Sequence, residues 1–229
     1  MRDAVLRLVA AAVMAGPGCA MAQLDSITQR EAVAGLKAAL ERGSQQAVAT
    51  LGRADGFLGN PQVKIPLPDS LQRAEKLMRR VGAGRYADEV IVAMNRAAEQ
   101  AVPEARQILV GAVKQMSVQD AKGILTGGDT AGTDYFRRTT RGGLHKRFLP
   151  IVKRATARVK LAQKYNRYAD RGVALGVVKE EHADLDEYVT QRALEGLYFM
   201  VAEEEKKIRK DPVGTGKAIL KKVFGALRG

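Results

Sequence analysis

Few residues of this chain are equipped for chemistry. Asn95 and Glu99 stand four apart in an apolar, alanine-rich stretch. On a helix that spacing puts both side chains on one face. A buried amide and carboxylate there form a polar site or pin one helix to another segment, and pinning is the expected use. Arg96 lies between them in sequence and is expected to point elsewhere. The run from Thr126 to Asp134 is the second candidate. Gly127, Gly128 and Gly132 free its backbone, while Asp129, Thr130, Thr133 and Asp134 supply oxygens. At a helix start such a loop offers backbone N–H groups to an anion or oxygens to a hard cation. Its simpler use is a helix–helix connection with Thr133 or Asp134 as N-cap; the fixed acidic spacing of a calcium loop is missing. Tyr135 follows directly. A pocket for a small ligand would draw on Asn95, Glu99, Asp129, Thr133 and Tyr135.

The standard catalytic patterns are missing. The two histidines, His145 and His182, stand in no H-E-x-x-H arrangement, and a zinc site would have to be built mostly from carboxylates. There is no G-x-S-x-G motif. Gly214-Thr215-Gly216-Lys217 resembles a phosphate loop only superficially. Asp211 stands where the first glycine belongs, Ala218 stands where Ser or Thr holds magnesium, and no strand precedes it. No catalytic residue, metal or cofactor is implied, and a non-enzymatic role is the leading expectation.

Charge is the stronger signal. The chain carries 38 Lys or Arg against 25 Asp or Glu, a formal +13. Residues 133–171 hold 12 basic side chains against Asp134 and Asp170, whereas residues 184–205 hold seven acids against Arg192. Lys153, Lys160, Lys164, Arg167 and Arg171 recur at helical spacing, one stripe on a continuous helix. Either this stripe faces solvent and binds anions, or the basic and acidic helices lie together and neutralise each other. Surface pairs contribute only ~0–1 kcal/mol each, so the apolar seams decide the packing, and the larger basic excess favours an exposed basic face. The Glu203-Glu204-Glu205-Lys206-Lys207 run reads as a solvated helix end, with Glu205 and Arg209 able to pair one turn apart.

The elements that must position these residues are helical throughout. Thr28-Gln29-Arg30-Glu31 reads as a capping box ahead of Val33, Leu36 and Leu40, with Gly35 and Gly43 weakening that helix. Further helices are marked by Leu71 to Val81, by Tyr86 to Ala101, by the stretch after Pro103, and by a short turn capped at Ser117 to Asp120. Leu144 to Ala169 is the clearest long helix, with Pro150 near its start and a seam of Phe148, Val152, Ala155, Val159 and Ala162. Asp184 opens a helix that runs to about Arg209, and Ile219 to Leu227 mark a last one. Between helices, Val63-Lys64-Ile65-Pro66-Leu67-Pro68 alternates with two prolines, so residues 57–68 are expected as an extended arm over the surface. With no Trp and 5% aromatic residues, Ala, Leu and Val must fill most of the interior. The expectation is one all-α domain over residues 23–229.

The N-terminus reads as an export signal. Arg2 precedes an apolar run from Leu6 to Met14, Gly16-Pro17-Gly18 breaks it, and Ala20-Met21-Ala22 offers small residues to a signal peptidase. Cleavage after Ala22 is expected. The alternative is a lipid anchor on Cys19, but Pro17 and the lack of Leu three residues earlier fit that poorly. Cleavage at Ala22 removes the chain's only cysteine, and with it disulfide and thiol chemistry. No segment after residue 22 is long and apolar enough to span a bilayer. A periplasmic location follows, and nucleic acid is not an expected partner.

Several stretches in order carry a family resemblance. They are Gly35 to Leu40, Val63 to Pro68, Met94 to Glu99, Ile124 to Asp129 with Thr133 to Phe136, Phe148 to Val152, Glu204 to Pro212, and Val223 to Gly225. Together they resemble the bacterial domain-of-unknown-function family 4197, over nearly all the chain beyond residue 22. The resemblance implies an exported protein of a Gram-negative envelope and supplies no catalytic residue. The expected role is binding of anionic envelope components or a protein partner through the basic surface at 137–171. The alternative is the small-ligand pocket or enzyme described above.

Overall fold

The computed structural model describes residues 18–158, 160, 163, 164 and 184–211, with side chains from residue 30 onward except 70, 73 and 74. The elements are α1 (Gly18–Leu51), α2 (Asp69–Arg80), α3 (Arg85–Ala101), a 3-10 turn (Val102–Glu104), α4 (Ala105–Gln115), α5 (Val118–Thr126), α6 (Ala131–Arg158) and α7 (Leu185–Lys210). No strand occurs among the described residues, so the all-α expectation holds. The most extensive packing joins α6 to α7. Helix α1 lies on α7 and α4, α3 on α6 and α7, and α5 on α1 and α6.

Local chemistry explains several boundaries. Ser117 and Asp120 form a reciprocal capping box at the start of α5. The Asp184 side chain accepts from the backbone N–H groups of Asp186 and Glu187 and starts α7. Elsewhere packing overrides local signals. Helix α1 runs unbroken through Thr28–Glu31, so the expected capping box is helix interior. Gly35 and Gly43 do not end it either. Each costs about 1 kcal/mol in a helix, but both are buried, and a Cβ on Gly43 would meet Ile208 Cδ1 of α7 at 3.4 Å.

Helix α6 departs further from expectation. It begins at Ala131, well before Leu144, so the expected loop shrinks to Gly127–Thr130. Pro150 lies inside it and removes one backbone hydrogen bond. The helix persists because Leu144, Phe148, Val152 and Ala155 are buried on either side. It ends at Arg158, and Lys160 has a left-handed φ of 52°. A continuous helix through Ala169 is therefore excluded. Val159 and Ala162 of the expected seam, His182, the phosphate-like loop at 214–217 and the last expected helix lie outside the described residues.

The segment between α1 and α2 is less extended than expected: turns occupy most of residues 54–63, and only 64–68 run free of them. Val63, Ile65 and Leu67 are buried while Lys64 and Pro66 are exposed. Phe57 is fully buried and presses against Gly196 of α7, where an added Cβ would lie 2.7 Å from the ring carbon Cε1. Gly196 is small so that the arm can seat. We expect Gly196→Ala to cost about 1–3 kcal/mol through overpacking, read as a lower denaturant midpoint with an unchanged m-value.

Candidate functional site

Asn95 and Glu99 share a face of α3, as their spacing requires, and both are spent on the arm. Asn95 is fully buried. Its Oδ1 accepts from Ile65 N at 2.8 Å, and its Nδ2 donates to Ile65 O at 2.9 Å and to Ile91 O at 2.8 Å. Those bonds imitate one residue of a strand ladder and give the arm its only sheet-like pairing partner, a side chain. Glu99 Oε1 accepts from Phe57 N and Leu58 N, each at 3.1 Å. Arg96 does not point elsewhere. It lies three residues from Glu99, one turn along, and donates to Glu99 Oε2 and to Asp55 Oδ1 at 2.8 Å each. Asp55, at φ 63°, turns the chain into the arm.

The other candidates lie apart from this pair. Tyr135 is buried and donates from its hydroxyl to Ala112 O at 2.9 Å, joining α6 to α4. Asp129 is exposed in the short link before α6. Thr133 is buried with Glu205, which is not a solvated helix-end residue. Glu205 Oε1 and Oε2 accept from Gly132 N (2.9 Å), Thr133 N (2.8 Å) and Thr133 Oγ1 (2.8 Å). Neither Thr133 nor Asp134 caps α6; a carboxylate from α7 does. Arg209 donates to the same Oε1 from Nε (3.1 Å) and Nη2 (2.9 Å), and Nη2 also reaches Ile124 O at 2.9 Å. The N–H groups that the sequence offers to an N-cap or, alternatively, to an anion are therefore filled by the protein's own glutamate, whose charge also suits the positive end of α6. Gly132 admits it, because a Cβ there would stand 2.5 Å from Leu40 Cδ2 and 3.0 Å from Glu205 Oε1.

Thr133, from the expected pocket set, borders an open cleft. This cleft, of about 410 Å³, runs between the arm, the start of α6 and α7, and Lys64, Asp134, Arg137, Arg192 and Glu195 reach it. Among the described residues, no group of three or more His, Cys, Asp or Glu side chains is placed to hold a metal ion.

The basic segment is partly rearranged. Lys153 is exposed on α6, but Lys160 and Lys164 lie beyond its end, so the five cations do not form one straight stripe. Arg167 and Arg171 lie outside the described residues. The exposed cationic face sits higher on the same segment. Lys146, Arg147, Lys153 and Arg154 fall at i, i+1, i+7 and i+8, one side of α6, and all four are exposed. None of them has an ion pair with a described residue. The acidic helix α7 does lie against α6, yet the joining contacts are short and specific. His145 Nε2 meets Glu187 Oε1 at 2.9 Å, and Thr156 Oγ1 donates to Asp186 Oδ1 at 2.7 Å. Arg137 stacks over Tyr198, with 5.1 Å to the ring centroid. Among the described residues, ion pairing between α6 and α7 is thus confined to His145 and Glu187, and Lys146, Arg147, Lys153 and Arg154 face out.

The family model described as "Protein of unknown function (DUF4197)" matches residues 26–225. The chain belongs to that family. No curated protein and no solved structure matches it. Membership in the DUF4197 family brings no assigned chemistry, so the reading of the site rests on the geometry. Sequence reasoning missed the inward role of Glu205, although a signal was present. Val201, Glu205 and Ile208 continue the apolar seam of α7, which marks Glu205 and not Glu203 or Glu204 as the buried acid.

Truncating one member of a buried charge pair costs about 3–5 kcal/mol. Glu205→Ala is therefore expected to cost about 3 kcal/mol, because it removes the carboxylate shared by Arg209 and the start of α6; urea unfolding measures it. Asn95→Ala should cost about 1–3 kcal/mol and make residues 52–68 the first site of limited proteolysis, identified by mass of the fragments. At Glu187, hydrogen bonds from Gln191 and then His145 hold the carboxyl below the usual glutamate range. Its contribution is present above the ordinary glutamate pKa and lost as pH falls through the lowered folded value. Glu187→Gln should accordingly flatten the acid limb of a plot of melting temperature against pH.

Proposed function

We propose that this is a non-enzymatic, exported envelope protein that binds anionic envelope material through the outer face of α6. The carrying observation is the row Lys146, Arg147, Lys153 and Arg154, exposed and without ion pairs among the described residues. Helix α6 holds eight Lys or Arg against a single acid, Asp134. Each Lys or Arg beside an anionic bilayer adds about 1 kcal/mol of attraction, so such a row suffices for reversible association without insertion. No helix of the described residues is long and apolar enough to cross a membrane. Export rests on the N-terminal Arg, apolar run and Ala20-Met21-Ala22 pattern, with the mature chain starting at Gln23. A second reading, a small-ligand site, rests on the cleft of about 410 Å³ beside Thr133.

Flotation with vesicles of phosphatidylglycerol and phosphatidylcholine tests the first reading. Replacing Lys146, Arg147, Lys153 and Arg154 by Gln should weaken binding by about 100-fold or more at low salt, from roughly 1 kcal/mol per charge. Raising salt to 1 M, where the screening length falls to about 3 Å, should abolish wild-type binding. Binding that ignores both salt and these four substitutions would overturn the reading. The intact mass of protein recovered from its host's envelope checks the export step, with Gln23 as first residue expected and a lipid on Cys19 as the contrary result.

A further inference from the structure

Three arginines converge on a second concave surface, away from the face of α6. Arg42 and Arg53 come from α1 and the turn after it, and Arg106 from the first turn of α4. Together with Gln45, Gln46 and Pro103 they line a cleft of about 610 Å³. That volume lies within the range of small-molecule sites, about 300–1,000 Å³. Arg42, Gln45 and Gln46 fall at i, i+3 and i+4 on one face of α1, and Arg53 follows two residues beyond the helix end. The walls are held close. A Cβ on Gly52 would stand 3.1 Å from Pro103 Cγ, so backbone nearly touches side chain at the floor.

No acid lines this cleft. All three arginines are exposed, and none has an ion pair or side-chain hydrogen bond with a described residue. Glu41, one turn from Gln45, takes its hydrogen bond from Gln45 Nε2 at 3.1 Å and not from an arginine. The contrast with the cleft beside Thr133 is direct, since Asp134 and Glu195 accompany the cations there. Like charges facing one hollow repel, and a low-dielectric wall behind them focuses their field on its centre. The guanidinium group offers paired N–H donors in a plane, a geometry that matches phosphate oxygens two at a time. Gln45 and Gln46 add neutral amides to the lining, with Gln46 Nε2 donating to Thr50 Oγ1 at 3.4 Å.

We propose that this cleft binds a small phosphate-bearing ligand, with Arg42, Arg53 and Arg106 as its phosphate contacts. The site is independent of the α6 face. Calorimetric titration of the full chain with inorganic pyrophosphate tests it, alongside flotation with phosphatidylglycerol vesicles to separate a free phosphate from a lipid head group. The variant carrying Arg42→Ala and Arg106→Ala should bind about tenfold more weakly or worse, because it loses two charge-assisted forks. Its melting temperature should be unchanged, since both side chains are exposed. Arg42→Lys keeps the charge and loses the fork, so it should fall between wild type and the double variant. Replacing the four α6 cations by Gln should leave pyrophosphate binding as it was, so the two readings fail separately. Pyrophosphate binding lost in the double variant supports a soluble ligand. Vesicle binding alone, weakened in the double variant, supports a head group. Absence of binding to both probes, or equal binding by wild type and double variant, overturns the proposal.

Discussion

A carboxylate taken out of water is destabilising unless its oxygens are fully engaged and a cation stands beside it. Glu205 meets both conditions, and the rest of the bundle is arranged around that requirement. Its partners are the first backbone N–H groups of α6, the Thr133 hydroxyl and Arg209, whose guanidinium also reaches the last turn of α5. One side chain thereby fixes where α6 begins, the angle at which α5 leads into it, and the height of α7 alongside. Gly132 follows from the same constraint, because the carboxylate needs the space a Cβ would fill.

The arm obeys a parallel rule on the other side of α3. An extended segment without a neighbouring strand has backbone groups to satisfy, and burying Ile65 makes that need acute. Asn95 supplies both a donor and an acceptor to the same residue, and Glu99 accepts the two N–H groups at the arm's start. Among the described residues, no buried side-chain nitrogen or oxygen lacks a partner. The polar pair most suggestive of a ligand site is thus engaged by the protein's own main chain.

What was legible from sequence divides along the same line. Signals that act within one turn read correctly: the Ser117–Asp120 box, the Asp184 cap, the Asn95–Glu99 face and the alternation of Val63, Ile65 and Leu67. Signals settled by distant packing did not. Gly35 and Gly43 read as weakening their helix, and Pro150 as lying near the start of another, because propensity is local, yet each sits inside a helix whose buried flank outweighs it. Sequence points to Thr133 or Asp134 as the cap of α6 because an N-cap is ordinarily the neighbouring residue, whereas Glu205 lies 72 residues away from Thr133. A single basic stripe requires a helix that continues past Arg158, and the left-handed turn at Lys160 leaves the aligned cations upstream.

These placements also explain how a chain with only 13 more cations than acids presents such cationic surfaces. Several of the acids are engaged by structure. Glu99 holds the arm, Glu205 caps α6, Asp186 takes Thr156, and Glu187 takes His145. An acid used in this way does not stand beside the cations of the outer face, so its charge is neutralised internally or shielded at the seam. Lys146, Arg147, Lys153 and Arg154 are left without a described counter-ion on one side, and Arg42, Arg53 and Arg106 on the other. The two surfaces differ in shape, and shape sets what each can discriminate. A convex helix face sums charge over an area and is indifferent to the geometry of the anion. A hollow lined by three guanidinium groups imposes direction on each hydrogen bond, so it selects by the arrangement of oxygens as well as by charge.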